Sequence, residues 1–215
     1  MRDLDLKLAD LAPRLRYKLL CGLVVPRPIA WVTTLSPEGV VNAAPFSFFN
    51  VFSEDPALVV LGVQHKADGT AKDTSRNIAA TGEFVVNMVG EVVAEAMNLT
   101  AVDFPSAESE PSILGLELAS SVHVKPPRLA EGKAALECQR TVGLMFGTGS
   151  ELIVGEVLGV HARAGIVDPE TLSVDFDALR PVGRLAGNGY ARQGDRFEMK
   201  RLTYAEWRAK REGPA

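Results

Sequence analysis

The sequence is poor in the residues that most often hold metals or cross-link chains. It has two cysteines and three histidines among 215 residues. Cys21 and Cys138 stand far apart among apolar neighbours, and there is no Cys-x-x-Cys pair, which predicts buried free thiols rather than a disulfide or a redox pair. His65, His123 and His161 show no spacing typical of metal ligands. We therefore expect no metal site.

The chain also lacks a long apolar run. Charged side chains interrupt the first 20 residues, which leaves no continuous apolar core of a signal peptide. The longest apolar runs, such as residues 57–63, are far too short to cross a bilayer. We therefore expect a soluble, cytoplasmic protein without a membrane partner.

There is no excess of positive charge. The formal net charge is −4 and the predicted pI is about 5.5, which argues against general nucleic-acid binding. The basic residues that gather near the C-terminus are interpreted as the solvated face of a terminal helix. They are Arg192, Arg196, Lys200, Arg201, Arg208, Lys210 and Arg211.

The signature loops of several enzyme classes are missing as well. No G-x-G-x-x-G follows a predicted strand, so a Rossmann dinucleotide site is unsupported. A Walker-type phosphate loop and a G-x-S-x-G nucleophile elbow are also absent. Any chemistry must therefore depend on a less common arrangement of residues.

The length and the 47% hydrophobic content favour one domain, residues 1–215, with a real core. Apolar patterns predict strands at residues 29–35, 40–49, 58–64, 83–88, 120–125, 133–146 and 151–163. Residues 58–64 form a continuous apolar run typical of a strand buried on both faces. Gly147-Thr-Gly-Ser150 predicts a hairpin between the last two strands.

Helices are predicted at residues 4–15, 92–98 and 203–211, and after a cap at Asp73 or Thr74, with Gly82 ending that helix. Residues 103–111 contain acids, prolines and small residues and are expected to form a surface loop. Strands and helices do not alternate as in βαβ units. The pattern therefore predicts a mainly β fold with helical additions, a mostly antiparallel barrel.

The segment Asn42-Ala-Ala-Pro-Phe-Ser-Phe-Phe-Asn50 combines flat aromatic surface with a hydroxyl and two amides. Strand alternation places Phe46 and Phe48 on one face and Ser47 and Phe49 on the other. A core strand accounts for at least one phenylalanine, but buried amides and hydroxyls need partners. A heteroaromatic ring with carbonyl and N–H edges would supply them. Both interpretations stay open on the residues alone.

A second cluster, Lys72-Asp-Thr-Ser-Arg-Asn77, stands where a helix is predicted to begin. A capped helix start needs no ligand. The unpaired N–H groups of a helix N-terminus also favour an anion, and the cations and hydroxyls of this cluster would add to that preference. A third cluster, Gly183-Arg-Leu-Ala-Gly-Asn-Gly-Tyr190, is a glycine-rich loop, a lid or a contact with a partner subunit.

These clusters and their order resemble the flavin reductase-like, FMN-binding split-barrel family, which includes flavoredoxin-type proteins. Pro26-Arg-Pro-Ile-Ala-Trp-Val-Thr-Thr34 precedes the first cluster, and Gly82-Glu-Phe-Val-Val-Asn87 follows the second. The resemblance covers roughly residues 17–190 in segment order, and its specific motifs lie in residues 26–87. A terminal helix and a helical tail would then flank that core as appendages.

The resemblance implies a split β-barrel homodimer that holds FMN near the subunit interface. The segment Ser47-Phe48-Phe49-Asn50 would lie along the isoalloxazine ring. The other implied ligand residues fall into three groups. Lys72, Thr74 and Asn77 would hold the phosphate, Arg27 and Arg76 would assist, and Tyr190 would approach the site, from its own or the second subunit.

The activity implied by the resemblance is hydride transfer from NADH or NADPH to flavin. Reduced flavin would then serve an electron-acceptor protein or a partner oxygenase. The cofactor does the electronic work in such chemistry, so no side chain is assigned as a general acid or base. Two alternatives remain: an FMN-binding electron carrier or storage protein without efficient turnover, and a split barrel that has lost flavin and serves as an interaction module.

Overall fold

The computed structural model describes residues 3–212, which form eleven strands and six α-helices. The predicted domain limits also include residues 1–2 and 213–215, which lie outside the described residues. The helices are α1 (Pro13–Leu23), α2 (Asp73–Thr81), α3 (Ala94–Leu99), α4 (Glu110–Leu114), α5 (Phe176–Leu179) and α6 (Tyr204–Glu212). None of them is long and apolar enough to span a membrane.

The strands fall into one large sheet and two short ladders. The large sheet contains β1 (Ala30–Leu35), β2 (Val41–Phe46), β3 (Phe49–Glu54), β4 (Ala57–Gln64), β5 (Glu83–Met88), β8 (Ala134–Phe146) and β9 (Ser150–Ala162). The ladders are β6 (Leu118–Ala119) with β7 (Arg128–Leu129), and β10 (Val182–Arg184) with β11 (Tyr190–Arg192).

The large sheet has the strand order β2-β1-β5-β8-β9-β4-β3, and every neighbouring pair is antiparallel. The long hairpin of β8 and β9 lies at its centre, with Phe146 opposite Ser150 at the turn. This hairpin was predicted from the glycine-rich turn and is confirmed. The mainly β, mostly antiparallel prediction is confirmed too.

The two edge strands of the sheet, β2 and β3, are consecutive in the chain. Only Ser47 and Phe48 separate them, and we call these two residues the seam. The Gly62 N–H of β4 donates to the Phe48 carbonyl at 2.6 Å, and β2 contacts β4 across the same place. The sheet therefore curls into a barrel that stays open between β2 and β3, as in a split barrel.

The core lies inside this curled sheet. Phe46, Phe49, Leu61, Phe84 and Ile153 are all buried and pack in one cluster. Burial of each such side chain contributes roughly 1.5–3 kcal/mol relative to exposure. Because Phe46 and Phe49 flank the seam, core packing fixes both ends of the crossing.

A second apolar cluster lies on the other side of β1, against α3. Trp31 and Met97 are almost wholly buried there, together with Leu129. The indole N–H of Trp31 donates to Thr100 Oγ1 at 2.9 Å, which satisfies its buried polar atom. This contact holds α3 against the sheet close to the seam.

The predicted strand at residues 40–49 is confirmed for residues 41–46, which form β2, but it does not continue to residue 49, because the chain breaks at the seam and β3 follows. The expected alternation also fails there. Phe46 and Phe49 are both buried, whereas Phe48 is 38% exposed. The predicted double burial of β4 is wrong as well, since Val59, Leu61 and Val63 are buried and the residues between them are not.

The predicted strand at residues 120–125 is wrong for a different reason. The Glu137 carboxylate of β8 accepts the N–H groups of Val122 at 2.9 Å and His123 at 2.5 Å. A side chain therefore supplies the acceptors that a neighbouring strand would otherwise supply. Pro126 and Pro127 follow, and neither can donate to a ladder.

Several helix limits also differ from expectation. The first helix begins at Pro13, whose fixed φ suits a first helical position, and only a 3-10 turn at Leu8–Asp10 precedes it. Within the predicted surface loop, α4 begins at Glu110, which is buried. Of the C-terminal basic residues, only Arg208, Lys210 and Arg211 lie on α6; the others precede it in β11 or in a segment without regular secondary structure.

Other predictions are confirmed. Cys21 and Cys138 are free and buried. The helix α2 ends where Gly82 adopts a left-handed conformation with φ 75°, and the Gly82 N–H donates to the Ile78 carbonyl at 2.9 Å. The strand β5 covers the predicted residues 83–88.

Gly82→Ala should lower the free energy of unfolding by about 1 kcal/mol, because a β-carbon disfavours the left-handed conformation. No atom beyond the two neighbouring residues lies within 4 Å of the added methyl group, so the loss would come from the backbone alone. Gly22→Ala is the matched control, since Gly22 lies in α1 without a positive φ and is equally free of neighbours. Urea denaturation should show no loss for the control; equal losses for both variants would contradict this account.

Candidate functional site

A groove opens at the seam, with a volume of about 260 Å³. We call it the first groove. Its wall contains Tyr17 of α1, Ile29, residues 45–48 around the seam, Gly62 and Gln64 of β4, Lys72, Met97, Asn98 and Ala101 around α3, and Arg184 and Tyr190 of the β10–β11 hairpin. The break between β2 and β3 thus gathers seven separate parts of the chain around one opening.

Aromatic rings form one side of the first groove. The rings of Tyr17 and Phe48 lie 6.1 Å apart between centroids, at 47° to each other. Burial raises the pKa of the Tyr17 phenol above its ordinary value, and the neighbouring Cys21 thiol adds to the rise. Phe48 fits because residue 62 is glycine, where a β-carbon would lie 2.9 Å from the Phe48 Cβ.

A buried arginine supports the seam from behind. Arg27 is 6% exposed, and its guanidinium donates to Ser47 Oγ at 3.3 Å. It also donates to the carbonyls of Cys21 and Val24, both at 2.7 Å, and of Leu185 at 3.1 Å. One side chain therefore ties the end of α1, the seam and the β10–β11 hairpin together.

The β10–β11 hairpin forms the opposite side of the first groove. The Arg184 guanidinium carbon lies 4.5 Å from the centroid of the Tyr190 ring, and Arg184 Nη1 donates to the Gly189 carbonyl at 3.1 Å. The Tyr190 hydroxyl donates to Asn98 Oδ1 of α3 at 2.9 Å. Tyr190 therefore reaches the groove of its own chain.

A second groove, of about 240 Å³, lies beside the first at the start of α2. The two grooves share Pro45, Phe46, Lys72 and Ala101. Charged residues of both signs line the second groove, namely Lys66, Lys72, Asp73, Asp103 and Glu110. Lys66 Nζ lies 3.1 Å from Asp73 Oδ2, and Lys72 Nζ lies 3.5 Å from Asp103 Oδ1.

The start of α2 differs from the predicted capped start. The N-cap residue is Lys72, and no side chain caps the first N–H groups of the helix. Asp73 instead pairs with Lys66 and Arg76. A helix of nine residues therefore presents a positive dipole end without a side-chain cap, beside the Lys72 ammonium group.

Thr74 and Asn77 hold α2 against the sheet. Thr74 Oγ1 lies 3.0 Å from the Asn42 amide, and Asn77 Nδ2 donates to Thr34 Oγ1 at 3.0 Å. All three of Thr74, Asn77 and Asn42 are buried. Their polar groups are thus satisfied inside the protein, as buried polar groups require.

Glu110 closes the far side of the second groove. Its Oε2 accepts the Ala43 N–H at 3.0 Å, and the Asn42 amide, with its nitrogen turned towards Glu110, lies 3.3 Å from Oε1. Burial raises the pKa of the Glu110 carboxyl above its ordinary value, against the lowering effect of the Ala43 N–H. The second groove is therefore less favourable to an anion near Glu110 than near Lys72.

The structure brings some of the predicted site residues together and separates others. Ser47, Phe48, Lys72 and Tyr190 line the first groove, and Arg27 supports it from behind. Thr74 and Lys72 line the second groove. The rest lie elsewhere: Phe49 in the core, Asn50 exposed on β3, and Arg76 and Asn77 beside a depression next to residues 36–38.

Three polar residues of the first groove carried no signal of their own in the sequence. Tyr17 lies in an ordinary amphipathic helix, Gln64 ends an apolar strand, and Asn98 belongs to a short helix. Arg184 differs from them, because it belongs to the third cluster, which the sequence had singled out as a loop, a lid or a subunit contact.

A sequence model described as "Flavin reductase like domain" matches residues 22–183. The chain belongs to this flavin reductase-like family. A protein of Deinococcus radiodurans, described as uncharacterized, is 43% identical over 198 residues, which cover 89% of this chain and 87% of that protein. The family match spans the large sheet, the seam and the second groove, and it covers the lining of the first groove except Tyr17, Arg184 and Tyr190.

Solved structures agree with the family. A 2-nitrobenzoate 2-nitroreductase from Pseudomonas fluorescens is 38% identical, with a TM-score of 0.86 over 94% of this chain and 98% of that chain. Component B of nitrilotriacetate monooxygenase from Bacillus cereus is 34% identical, with a TM-score of 0.88 over 93% and 100%. A split-barrel protein from Shewanella frigidimarina, 20% identical with a TM-score of 0.76 over 92% and 96%, supports the fold alone.

Arg27→Gln should lower the free energy of unfolding by about 2–4 kcal/mol, because three carbonyls and a hydroxyl lose charge-assisted hydrogen bonds from a buried guanidinium. Arg16→Gln is the matched control. Arg16 also donates to two carbonyls, of Leu11 at 2.7 Å and Ala9 at 3.0 Å, but outside the seam. Chemical denaturation should show a loss below about 1 kcal/mol for the control. Similar losses in both variants would refute a special role for Arg27.

Glu110→Gln should stabilise the protein relative to wild type at about pH 7 but not at about pH 4. The pKa of Glu110 is raised in the folded protein, so protonation of this carboxyl stabilises the fold at pH values below its ordinary pKa of 4.5. This stabilisation is lost as the pH rises through the raised pKa. A neutral amide has no such dependence and can still accept the Ala43 N–H. Urea denaturation across this range would measure the difference, and a constant difference between variant and wild type would contradict it.

Proposed function

We propose that the protein is an FMN-binding oxidoreductase of the flavin reductase type, with NADH or NADPH as the electron donor. The observation that carries this proposal is the first groove, where exposed aromatic side chains and a lysine lie beside a helix start without a side-chain cap. A flat ring with a phosphate tail needs both features. Family membership supports the same cofactor class.

The seam is suited to an isoalloxazine ring. Phe48 and Tyr17 offer aromatic surface, and the Ser47 hydroxyl accepts a hydrogen bond from Arg27 at 3.3 Å, which leaves its own proton free to donate. The ordered backbone of the seam adds further polar groups. We therefore assign Ser47 and Phe48 to the ring. Phe49 supports the seam from the core, and Asn50 remains a predicted ligand without a place in either groove.

The phosphate is proposed to lie near Lys72 and the first turn of α2. Lys72 lines both grooves, and its partner Asp103 is largely exposed, so an anion can replace that pair at little cost. Thr74 and Asn77 fix the helix start through their internal bonds. Arg76 already pairs with Asp73 and Ser106, so we place it as an outer cation.

Bound FMN would supply the hydride-accepting chemistry, for which the protein needs no general acid or base. The chain's own residues bind the ring, hold it at the seam and leave one side accessible. Phe48 and Tyr190 are each 38% exposed, so a nicotinamide can approach the groove from solvent without a Rossmann-type site. We propose this direct approach for the electron donor.

The relatives suggest two destinations for the electrons. A 2-nitroreductase reduces its own small aromatic substrate, whereas a component B of a monooxygenase works within a system of more than one component. We propose an acceptor of one of these kinds, either a small molecule in the groove or a partner oxygenase. An electron carrier or flavin-storage protein without efficient turnover is the alternative, and the same residues would bind its FMN.

We further propose that the protein is a cytoplasmic homodimer. Leu23 of α1 and Val51 and Phe52 of β3 are large apolar side chains that are largely exposed in the single chain. Covering such side chains with a second copy would remove apolar surface from water. Because α1 and β3 both adjoin the seam, this interface would lie beside the first groove.

Purified protein mixed with FMN and desalted should retain flavin absorbance, and NADH or NADPH should bleach it without oxygen. Steady-state oxidation of either nucleotide in air would support the reductase over the electron carrier. Retained flavin without nucleotide oxidation would favour the carrier, and no flavin binding at any concentration would exclude both.

Lys72→Ala should weaken FMN binding by about tenfold, because one charge-assisted contact with the phosphate is lost. Riboflavin, which lacks the phosphate, should bind the variant and wild type equally. Lys125→Ala removes an exposed lysine outside both grooves and serves as the control. Asn77→Ala should also weaken FMN binding, through displacement of α2. Equal effects of Lys72→Ala on FMN and riboflavin would remove Lys72 from the phosphate site.

A further inference from the structure

The Arg184 side chain is a partly buried cation with few partners. A guanidinium carries five N–H donors. Among residues 3–212, its hydrogen-bond acceptor is the Gly189 carbonyl at 3.1 Å, and no carboxylate lies within ion-pair distance. The Tyr190 ring, 4.5 Å away, covers one face of the guanidinium and leaves its N–H edge available. Partly buried charges usually have a partner of opposite sign, so this one is suited to an anion.

The first groove as a whole has the same preference. Of the described residues that line it, Lys72 and Arg184 are charged and none is acidic. Arg27 adds a third positive charge behind Ser47, and within the described part of the chain it donates to carbonyl and hydroxyl oxygens. The second groove, by contrast, contains Asp73, Asp103 and Glu110. The first groove is therefore positively charged, although the protein as a whole has a net charge of −4, and this favours an anionic ligand there.

The two ends of this positive groove differ in position. Lys72 lies on the wall shared with the second groove and beside the start of α2. Arg184 lines the first groove but not the second, on the hairpin side, next to Tyr190. A phosphate at Lys72 would thus leave Arg184 without a counter-charge. A second anionic group beside Tyr190 would neutralise it.

We propose that Arg184 binds the carboxylate of a planar aromatic acid, the substrate that the first groove receives besides the cofactor. This proposal rests on the proposed function and specifies its substrate class. Tyr190, next to Arg184 on the hairpin side, supplies flat surface for the aromatic ring of the acid, whereas Tyr17 and Phe48 face the isoalloxazine ring. The guanidinium fork can bind a carboxylate through two parallel hydrogen bonds, and the Tyr190 ring and the Gly189 carbonyl hold it in place. Tyr190 is in turn held by Asn98.

The test uses benzoate as the probe and benzamide as its neutral analogue of nearly equal shape. Calorimetry would measure the binding of each to FMN-loaded protein and to FMN-free protein. Benzoate should bind wild type more tightly than benzamide does. Arg184→Gln should weaken benzoate binding by about 10- to 100-fold and leave benzamide binding unchanged. Arg184→Lys, which keeps the charge but loses the fork, should give an intermediate loss.

Arg192→Gln is the matched control, because it removes the same charge from the same hairpin outside the first groove. It should bind benzoate as wild type does. Equal binding of benzoate and benzamide to wild type, or unchanged benzoate binding in Arg184→Gln, would overturn the proposal. Loss of FMN affinity in Arg184→Gln, or a raised KM for NADH with benzoate binding intact, would assign Arg184 to the cofactor or the nucleotide instead.

Failure of the proposed function would look different. Protein that does not bind FMN at all would refute the flavin assignment, while benzoate binding to the FMN-free protein would still test the Arg184 site. FMN binding therefore tests the proposed function, and benzoate binding tests the Arg184 site.

Discussion

The Arg27 guanidinium is the contact on which the rest of the site depends. A seven-stranded sheet that curls but does not close leaves two unpaired edges, and here the chain crosses directly from one edge to the other. The two crossing residues lie outside both edge strands; the Gly62 N–H of β4 holds the Phe48 carbonyl, and Ser47 needs another contact to fix it. Arg27 does so with one hydrogen bond to Ser47 and three to backbone carbonyls. Removing a charge of this kind from water is costly, and the full set of oxygen acceptors offsets that cost.

The open seam also explains why the grooves lie where they do. In a closed barrel β2 and β3 would pair, and their side chains would leave no space at the edge. Because they do not pair, Phe48 stays partly exposed while Phe46 and Phe49 enter the core on either side. The two grooves then differ in charge. Within residues 3–212, no acidic side chain lines the first groove, and the second combines cations with Asp73, Asp103 and Glu110. Because the two grooves differ in charge, we expect the first to favour anionic ligands more strongly than the second.

Much of the fold was predictable where local signals agree with the tertiary structure. The β8–β9 hairpin has a glycine-rich turn between long apolar strands, and α2 has a glycine at its end. Prediction failed where a distant side chain decides the local structure. Residues 120–125 have strand-like composition, but Glu137 takes their N–H groups. The prediction also missed the break at Ser47, because the alternation of apolar residues continues through it. The contacts of Ser47 with Arg27 and of Phe48 with β4, which fix this break, are distant in the sequence.

The sequence by itself determined the family, the antiparallel barrel and the two clusters around Ser47 and Lys72, because these depend on short segments whose residue types carry their own chemistry. Tertiary structure alone decided which of those residues face a ligand. It placed the Phe49 side chain in the core and joined Thr74 and Asn77 to the sheet by hydrogen bonds. It also brought Tyr17 and Arg184 to one groove, although they stand at opposite ends of the chain. No local pattern encodes such a meeting, since it results from the closure of the sheet around a common core.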